Sequence, residues 1–233
     1  MDGNYNGVHI VSRSRKSRTS PRRGGAGILI FVLLLLTAGI CALVVLLPRF
    51  NGKTVQTGFA GRSFYMLCTG EADELETALL LGKDTSDRGG AGYVFNDGKY
   101  KIVASAYARE ADAKLLTGIN SDSTYFEISF PKSGAVGDGA ALAFFADEWF
   151  EKVSAAASDL ERGTVTEAAA EFAVTSVSLK LVSLADKCES GALMRALRSA
   201  TDAVSGSRTV LSRIRYVQVR TLSVVYFAMS NVK

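Results

Sequence analysis

The chain has 233 residues, of which 48% are hydrophobic and 21% are charged, and its formal net charge is +4. The excess charge comes from the first 23 residues, which carry six basic residues against one acid, Asp2, while the rest of the chain is close to neutral. A nearly neutral main part excludes the broad basic surface with which nucleic-acid-binding proteins meet phosphates, so no nucleic-acid partner is expected.

An uncharged apolar run, 28–47, predicts a single transmembrane helix. At about 1.5 Å per residue it spans the roughly 30 Å of a bilayer's hydrocarbon layer. Basic residues beside a span stay in the cytoplasm, so we expect a cytoplasmic tail over 1–23 that also meets anionic membrane lipid, a span over 24–48 and an external stalk over 49–62. A cleaved signal is less favoured, because its apolar region would be shorter and closely followed by a small-x-small site. The protein is therefore expected in the cell membrane, with its C-terminal part outside.

Residues 63–131 alternate between strand-like and helix-like periods. The predicted elements are strand 63–69, helix 71–81, strands 93–95 and 100–107, helix 109–116 and strand 123–130. The turn between the middle strands, Asn96-Asp97-Gly98, tolerates positive φ and indicates a hairpin. This order predicts an α+β, ferredoxin-like βαββαβ domain in which both helices lie on one sheet face and the other face is free for a partner or solvent.

The expected core faces follow from the same periods. On the first strand, Phe64, Met66 and Cys68 share one face. On the helices, the inner stripes are predicted to contain Ala72, Leu75 and Leu79, and then Ala108, Ala111 and Leu115.

Two segments carry a resemblance to a known family: SFYMLCTGEADELETALL and YKIVASAYAREADAKLL. In each, an aromatic-led apolar strand is followed by a Glu/Ala-rich helix, and together they resemble the two halves of the SPOR (sporulation-related repeat) domain. The resemblance covers about residues 62–131. The chain departs from the family at Leu67, a position where the family often has a glutamine.

The resemblance implies binding of septal peptidoglycan glycan strands through the open sheet face, in cell division or sporulation. Carried over by position, the glycan-binding candidates are Tyr65, Leu67, Lys101, Val103, Ser105, Tyr125 and Glu127. Aromatic faces edged by hydrogen-bonding groups are what sugar rings require.

Residues 132–233 are predicted to form a helical C-terminal region. Thr164–Glu167 matches a capping box, and Ser190 can cap a third helix. The last segment, from Ser207, is read as a helix, although its β-branched stretch 214–227 also permits a strand. The apolar faces of these helices can bury against one another, against a partner, or over the sheet face that would otherwise hold sugar.

No enzyme, cofactor or metal is expected. The only histidine, His9, lies in the tail, so the external part lacks the base of a Ser-His or Cys-His mechanism. Cys68 is predicted to be a buried free thiol, although a bridge to Cys188 is permitted outside the cell. The expected function is thus a non-catalytic glycan-binding module of the envelope. The alternative is an assembly subunit of an envelope complex whose sheet is covered by its own C-terminal helices.

Overall fold

The computed structural model describes residues 58–119, 122–133, 136–201 and 208–230. The predicted tail, the predicted span and most of the stalk lie outside these residues. From Val55 onward the chain forms one unit with its own core.

A four-stranded antiparallel sheet lies at the centre of this unit. Its strands are β1 (Arg62–Ala72), β2 (Tyr93–Asn96), β3 (Tyr100–Tyr107) and β4 (Thr124–Phe130), in the spatial order β2-β3-β1-β4. Helix α1 (Leu75–Asp87) follows β1, and helix α2 (Glu110–Ile119) follows β3. The predicted α+β class and antiparallel sheet are confirmed.

The C-terminal region is helical. It consists of α3 (Val136–Phe144), a π turn (Phe145–Trp149), α4 (Phe150–Glu161), α5 (Glu167–Ala185), α6 (Gly191–Arg198), a 3₁₀ turn (Ser199–Thr201) and α7 (Val210–Ser230). Ser190 caps α6 by accepting from the Leu193 amide, as predicted. The capping-box prediction at Thr164 is wrong, because Thr166 is the N-cap and accepts from the Ala169 amide. Since α7 is a helix, the strand interpretation of 214–227 is also excluded.

One sheet face packs against these C-terminal helices. Phe64 and Met66 are completely buried on it, and the Phe64 ring lies 4.6 Å from that of Phe150 on α4. Beside them Phe95 stacks on Phe227 of α7 at 5.3 Å. We call this the C-terminal face of the sheet. The prediction that one sheet face stays free is therefore wrong for the described residues.

Helices α1 and α2 lie on the opposite face, which we call the groove face. Small residues bring α1 close to the sheet: a Cβ on Gly92, which has a φ of +59°, would lie 2.1 Å from the Gly82 carbonyl oxygen. The buried positions of α1 are accordingly Ala78, Gly82, Thr85 and Ser86. The predicted inner stripe through Leu75 and Leu79 is wrong, because this approach turns the leucines outward.

The predicted stripe of α2 is wrong at two of its three positions, while Ala108, just before the helix, is partly buried against the core. Ala113 is its buried position, whereas Ala111 and Leu115 are exposed. Among the described residues α5 alone is long and apolar enough to cross a membrane, and 33% of its most apolar window is buried. Its inner side belongs to the core, where the Trp149 indole donates to Ser178 at 3.0 Å.

The two cysteines of the described part are free thiols. Cys68 is buried, as predicted, on the C-terminal face. Burial, together with Asp138, raises the pKa of the half-buried Cys188 thiol to about 12.

Candidate functional site

A strip of two tyrosines and an acid lies where β1 pairs with β4 on the groove face. Leu67 pairs with Tyr125 and Tyr65 pairs with Glu127, so the four side chains share this face. The Tyr65 and Tyr125 rings meet edge to face with their centroids 6.3 Å apart. Tyr65 and Tyr125 remain partly exposed and Glu127 is exposed. We call Tyr65, Tyr125 and Glu127 the tyrosine strip.

Hydrogen bonds shift the pKa values of two polar groups of the strip, Glu127 and Tyr125. Hydroxyl groups of Ser63 and Ser129 lower the pKa of Glu127, and Ser129 Oγ lies 2.8 Å from its carboxylate. The Tyr125 hydroxyl donates to Glu110 of α2 at 2.7 Å, which raises the pKa of this phenol. At neutral pH the strip thus offers neutral phenol rings beside an ionised carboxylate.

A groove runs beside this strip, between the sheet, α1, α2 and the C-terminal helices. It consists of two adjoining clefts of about 620 and 450 Å³. Both clefts are lined by the same five residues: Ser105, Tyr107, Leu116, Glu161 and Arg215. The Ser105 hydroxyl donates to the Tyr107 hydroxyl at 2.9 Å, so the wall between the clefts is polar.

The arginines of the larger cleft are all partnered by carboxylates. Arg215 bonds Glu161 at 2.8 Å, and Arg109 bonds Asp112 at 2.8 Å. Arg62 bonds Glu151 at 3.0 Å and also Asp147. Because the lining charges cancel in pairs, the cleft has no excess positive charge for a phosphate group and is better suited to an uncharged polar ligand.

The structure brings together only part of the predicted glycan site. Tyr65, Leu67, Ser105, Tyr125 and Glu127 lie on the groove face, in the strip or along the groove.

Lys101 and Val103 lie on the other face. Val103 is completely buried, and the Lys101 ammonium sits 4.6 Å above the Phe126 ring while binding Asp97 at 2.7 Å. The cause is a bulge: Leu67 pairs with Ser105 but Cys68 pairs with Val103, so Ala104 is skipped and the side-chain alternation is reset. The placement of all seven residues on one open face is therefore wrong.

Besides the tyrosine strip and the groove, the domain has a third surface feature, which the sequence pattern did not predict. Large apolar side chains of α1 and α2 are at least partly exposed: Leu75, Leu79, Leu80, Leu81, Leu115 and Ile119. We call these residues the leucine face. The run Leu79-Leu80-Leu81 could have revealed it, because three successive helical positions span 200° and cannot all point inward.

Comparisons of the chain with protein-family models, with curated proteins and with solved structures gave no significant match. The tyrosine strip, the groove and the leucine face are therefore the features on which a function can be based.

Proposed function

We propose that this chain is a non-catalytic assembly subunit of a cell-envelope complex, held by one membrane span at 28–47 with its N-terminus in the cytoplasm. Its βαββαβ segment is SPOR-like in element order, but the sheet face opposite α1 and α2, which the predicted topology leaves open for a glycan, is covered by the C-terminal helices. The covering of this sheet face by the C-terminal helices is the main observation in support of the proposal.

The cover leaves no room for a sugar chain on that face. Phe64, Ile128 and Phe130 are buried there, and the Phe130 ring lies 6.0 Å from Phe145 in the π turn. A ligand on this face would have to separate the sheet from α4 and α7, which would expose most of the core.

The leucine face supplies the outward-facing surface that an assembly subunit needs. Leu80 is 66% exposed and Leu115 is 67% exposed, in positions where surface helices ordinarily carry charged residues. Exposed apolar clusters of this kind mark protein contacts. Glu74 and Glu76 lie next to the α1 leucines in sequence and are exposed, so the complementary surface is expected to combine apolar and basic side chains.

Site-specific photocrosslinking in intact cells tests this role. With a photoreactive amino acid at Leu80 or Leu115, we expect a discrete adduct with another envelope protein. The matched control is the same amino acid at Lys152, an exposed position of α4 outside the leucine face. Equal adducts at all three positions, or none at the leucine positions, would contradict the proposal.

Glycan binding is a second candidate function, favoured by the tyrosine strip beside a charge-balanced groove. Two tyrosine rings, the serine hydroxyls of β1 and β4 and a polar cleft can together contact the apolar and hydroxyl edges of sugar rings. In this version the glycan would lie on the groove face, which also carries α1 and α2, rather than on the face opposite those helices.

A pull-down of the full-length protein on insoluble peptidoglycan separates the two candidates. The assembly proposal predicts no retention above background, with or without amidase removal of stem peptides. The glycan candidate predicts retention that rises after stripping and falls at least about fivefold in Tyr65→Ala and in Tyr125→Ala, since each ring contributes about 1 kcal/mol or more. Lys101→Ala is the control, because Lys101 lies on the opposite sheet face.

A further inference from the structure

The sheet ends on one side in a short strand whose outer edge has no neighbour. In the order β2-β3-β1-β4, the strand β2 pairs with β3 alone. Every second residue of an antiparallel edge strand points its amide and carbonyl groups away from the sheet. No other backbone segment of the described residues bonds to these groups of β2. The outer edge of β2 can therefore accept a further strand.

A cleft of about 380 Å³ runs along this edge, and we call it the edge cleft. Its floor is β2. One wall is formed by Leu75 and Leu79 of α1, and the other by Tyr216 of α7 and by Arg208, just before that helix. Because α1 and α7 lie on opposite sheet faces, β2 is recessed between them. A single extended segment fits into such a cleft, whereas the edge of a second copy would be held off by its own α1 and α7.

The two walls match the alternation of side chains along a strand. On β2 itself Val94 points toward α1, where its methyl group lies 3.6 Å from a Cβ built on Gly82. Tyr93 points toward α7 and meets the Tyr216 ring edge to face, with the ring centroids 5.6 Å apart. A strand added beside β2 would continue this alternation, with one set of side chains against the α1 leucines and the other against Tyr216.

The edge cleft also holds an arginine without an acidic partner. The Arg208 guanidinium lies 4.0 Å from the centroid of the Tyr216 ring and donates to the Ala91 carbonyl at 2.9 Å. Among the described residues no carboxylate pairs with it, in contrast to Arg62 and Arg215 in the groove. Its remaining N–H groups are free to bind a carboxylate at the end of the edge where β2 begins.

The opposite end of the edge is acidic. Ala72, which ends β1, pairs with Tyr100, and Tyr100 pairs with Asn96 at the far end of β2. Helix α1 begins at this end, and the exposed Glu74 directly precedes it. The edge cleft thus runs from a basic end at Arg208 to an acidic end at Glu74. A complementary segment carries its charges in the reverse order.

We propose that the edge cleft binds an extended segment of a partner protein, which adds to the sheet as a further strand beside β2 and places an acidic side chain against Arg208. The proposal rests on the assembly role and identifies the partner's segment by its chemistry. Apolar side chains alternate along it, and an acid lies at one end. Backbone hydrogen bonds to β2 supply affinity, and the two walls and Arg208 supply specificity.

Selection of random twelve-residue peptides, displayed on phage, against the full-length protein in a nonionic detergent tests this. We expect enriched peptides with alternating apolar residues and an acid at one end. Against Arg208→Glu, a base should replace this acid. Arg195→Glu is the matched control, because it makes the same charge change at an exposed position of α6 and should leave the acid preference unchanged. No enrichment, enrichment without alternation, or an acid preference that survives Arg208→Glu would overturn the proposal.

N-methylation of an enriched peptide tests strand addition on the wild-type protein, so this measurement does not depend on the folding of a variant. Methyl groups on the alternate amides that face β2 should weaken binding at least about tenfold, because each removes a hydrogen bond and keeps the strands apart. Methyl groups on the other alternate amides should change binding by less than about twofold. Equal effects of the two sets would mean that no strand is added.

Failure of this proposal can be distinguished from failure of the assembly role. The photocrosslinks at Leu80 and Leu115 are formed outside the edge cleft. Adducts at those positions together with a failed peptide selection would overturn the strand addition alone. Peptides that bind as expected, without adducts at the leucine face, would support the strand addition and contradict the leucine face as the contact surface.

Discussion

Replacement of Phe64 by alanine is expected to lower the free energy of unfolding of residues 55–233 by about 3–5 kcal/mol. The side chain is completely buried, and its ring contacts Phe130 on β4 at 5.3 Å and Phe150 on α4 at 4.6 Å. Its loss leaves a cavity between the sheet and the helices, where both layers contribute to the same core. Because that core is shared, the whole segment should still unfold in one transition.

Urea unfolding, followed by circular dichroism and by Trp149 fluorescence, measures this effect. Leu80→Ala is the control: the side chain is mostly exposed, so its removal should change stability by less than about 0.5 kcal/mol. Two separate unfolding transitions, of which Phe64→Ala shifts only the one that reports on the strands, would contradict this. They would mean that the stability of the C-terminal helices does not depend on the sheet face.

Gly92→Ala is the second large effect, with an expected loss of about 3–5 kcal/mol. Gly92 has a φ of +59°, and a Cβ there would lie 2.1 Å from the Gly82 carbonyl oxygen, which is backbone and cannot rotate away. Relief of the clash requires α1 to move off the sheet. The variant therefore combines a conformational cost with a loss of packing.

Gly163→Ala separates these two costs. Gly163 has a similar φ of +69°, but a Cβ there would meet nothing within 4 Å. It should cost only about 1–2 kcal/mol, the penalty of the left-handed backbone itself. Equal losses in the two variants, measured by urea unfolding, would show that the contact between Gly82 and Gly92 contributes nothing to the position of α1.

The strands and the C-terminal helices could be predicted because each shows one clear period. Phe126, Ile128 and Phe130 alternate with polar residues on β4, and Phe145, Trp149 and Phe150 recur at helical spacing. Such patterns record burial directly, so they predict both the element and its buried side.

What covers each sheet face could not be predicted from those periods. Alternation places Phe64 and Met66 on one face, but it does not say whether α1 or α4 will cover them. For α1 the leucine content suggested the wrong side, because the close approach at Gly82 and Gly92 depends on residues ten apart in sequence. A contact made by small residues produces no hydrophobic periodicity in the sequence, so the buried side of α1 could not be read from it.

The candidate site was only partly predictable for a similar reason. Tyr65, Tyr125 and Glu127 came together because β1 and β4 pair without interruption. Lys101 and Val103 did not join them, because one skipped residue, Ala104, reverses the side of everything beyond it on β3. A bulge has no composition of its own, so no pattern in the sequence marked it.

The place of β1 in the sheet has a mechanical consequence. From its N-terminal side the described chain first bridges Phe59 to Ser133 and then enters β1, which pairs with β4 on one edge and β3 on the other. Tension on the proposed membrane anchor would pull along β1, so the hydrogen bonds on both edges would be loaded together in shear. An edge strand pulled from its end would instead open one bond at a time. Under the proposed function, this arrangement would resist a force that draws the membrane anchor and a bound partner apart.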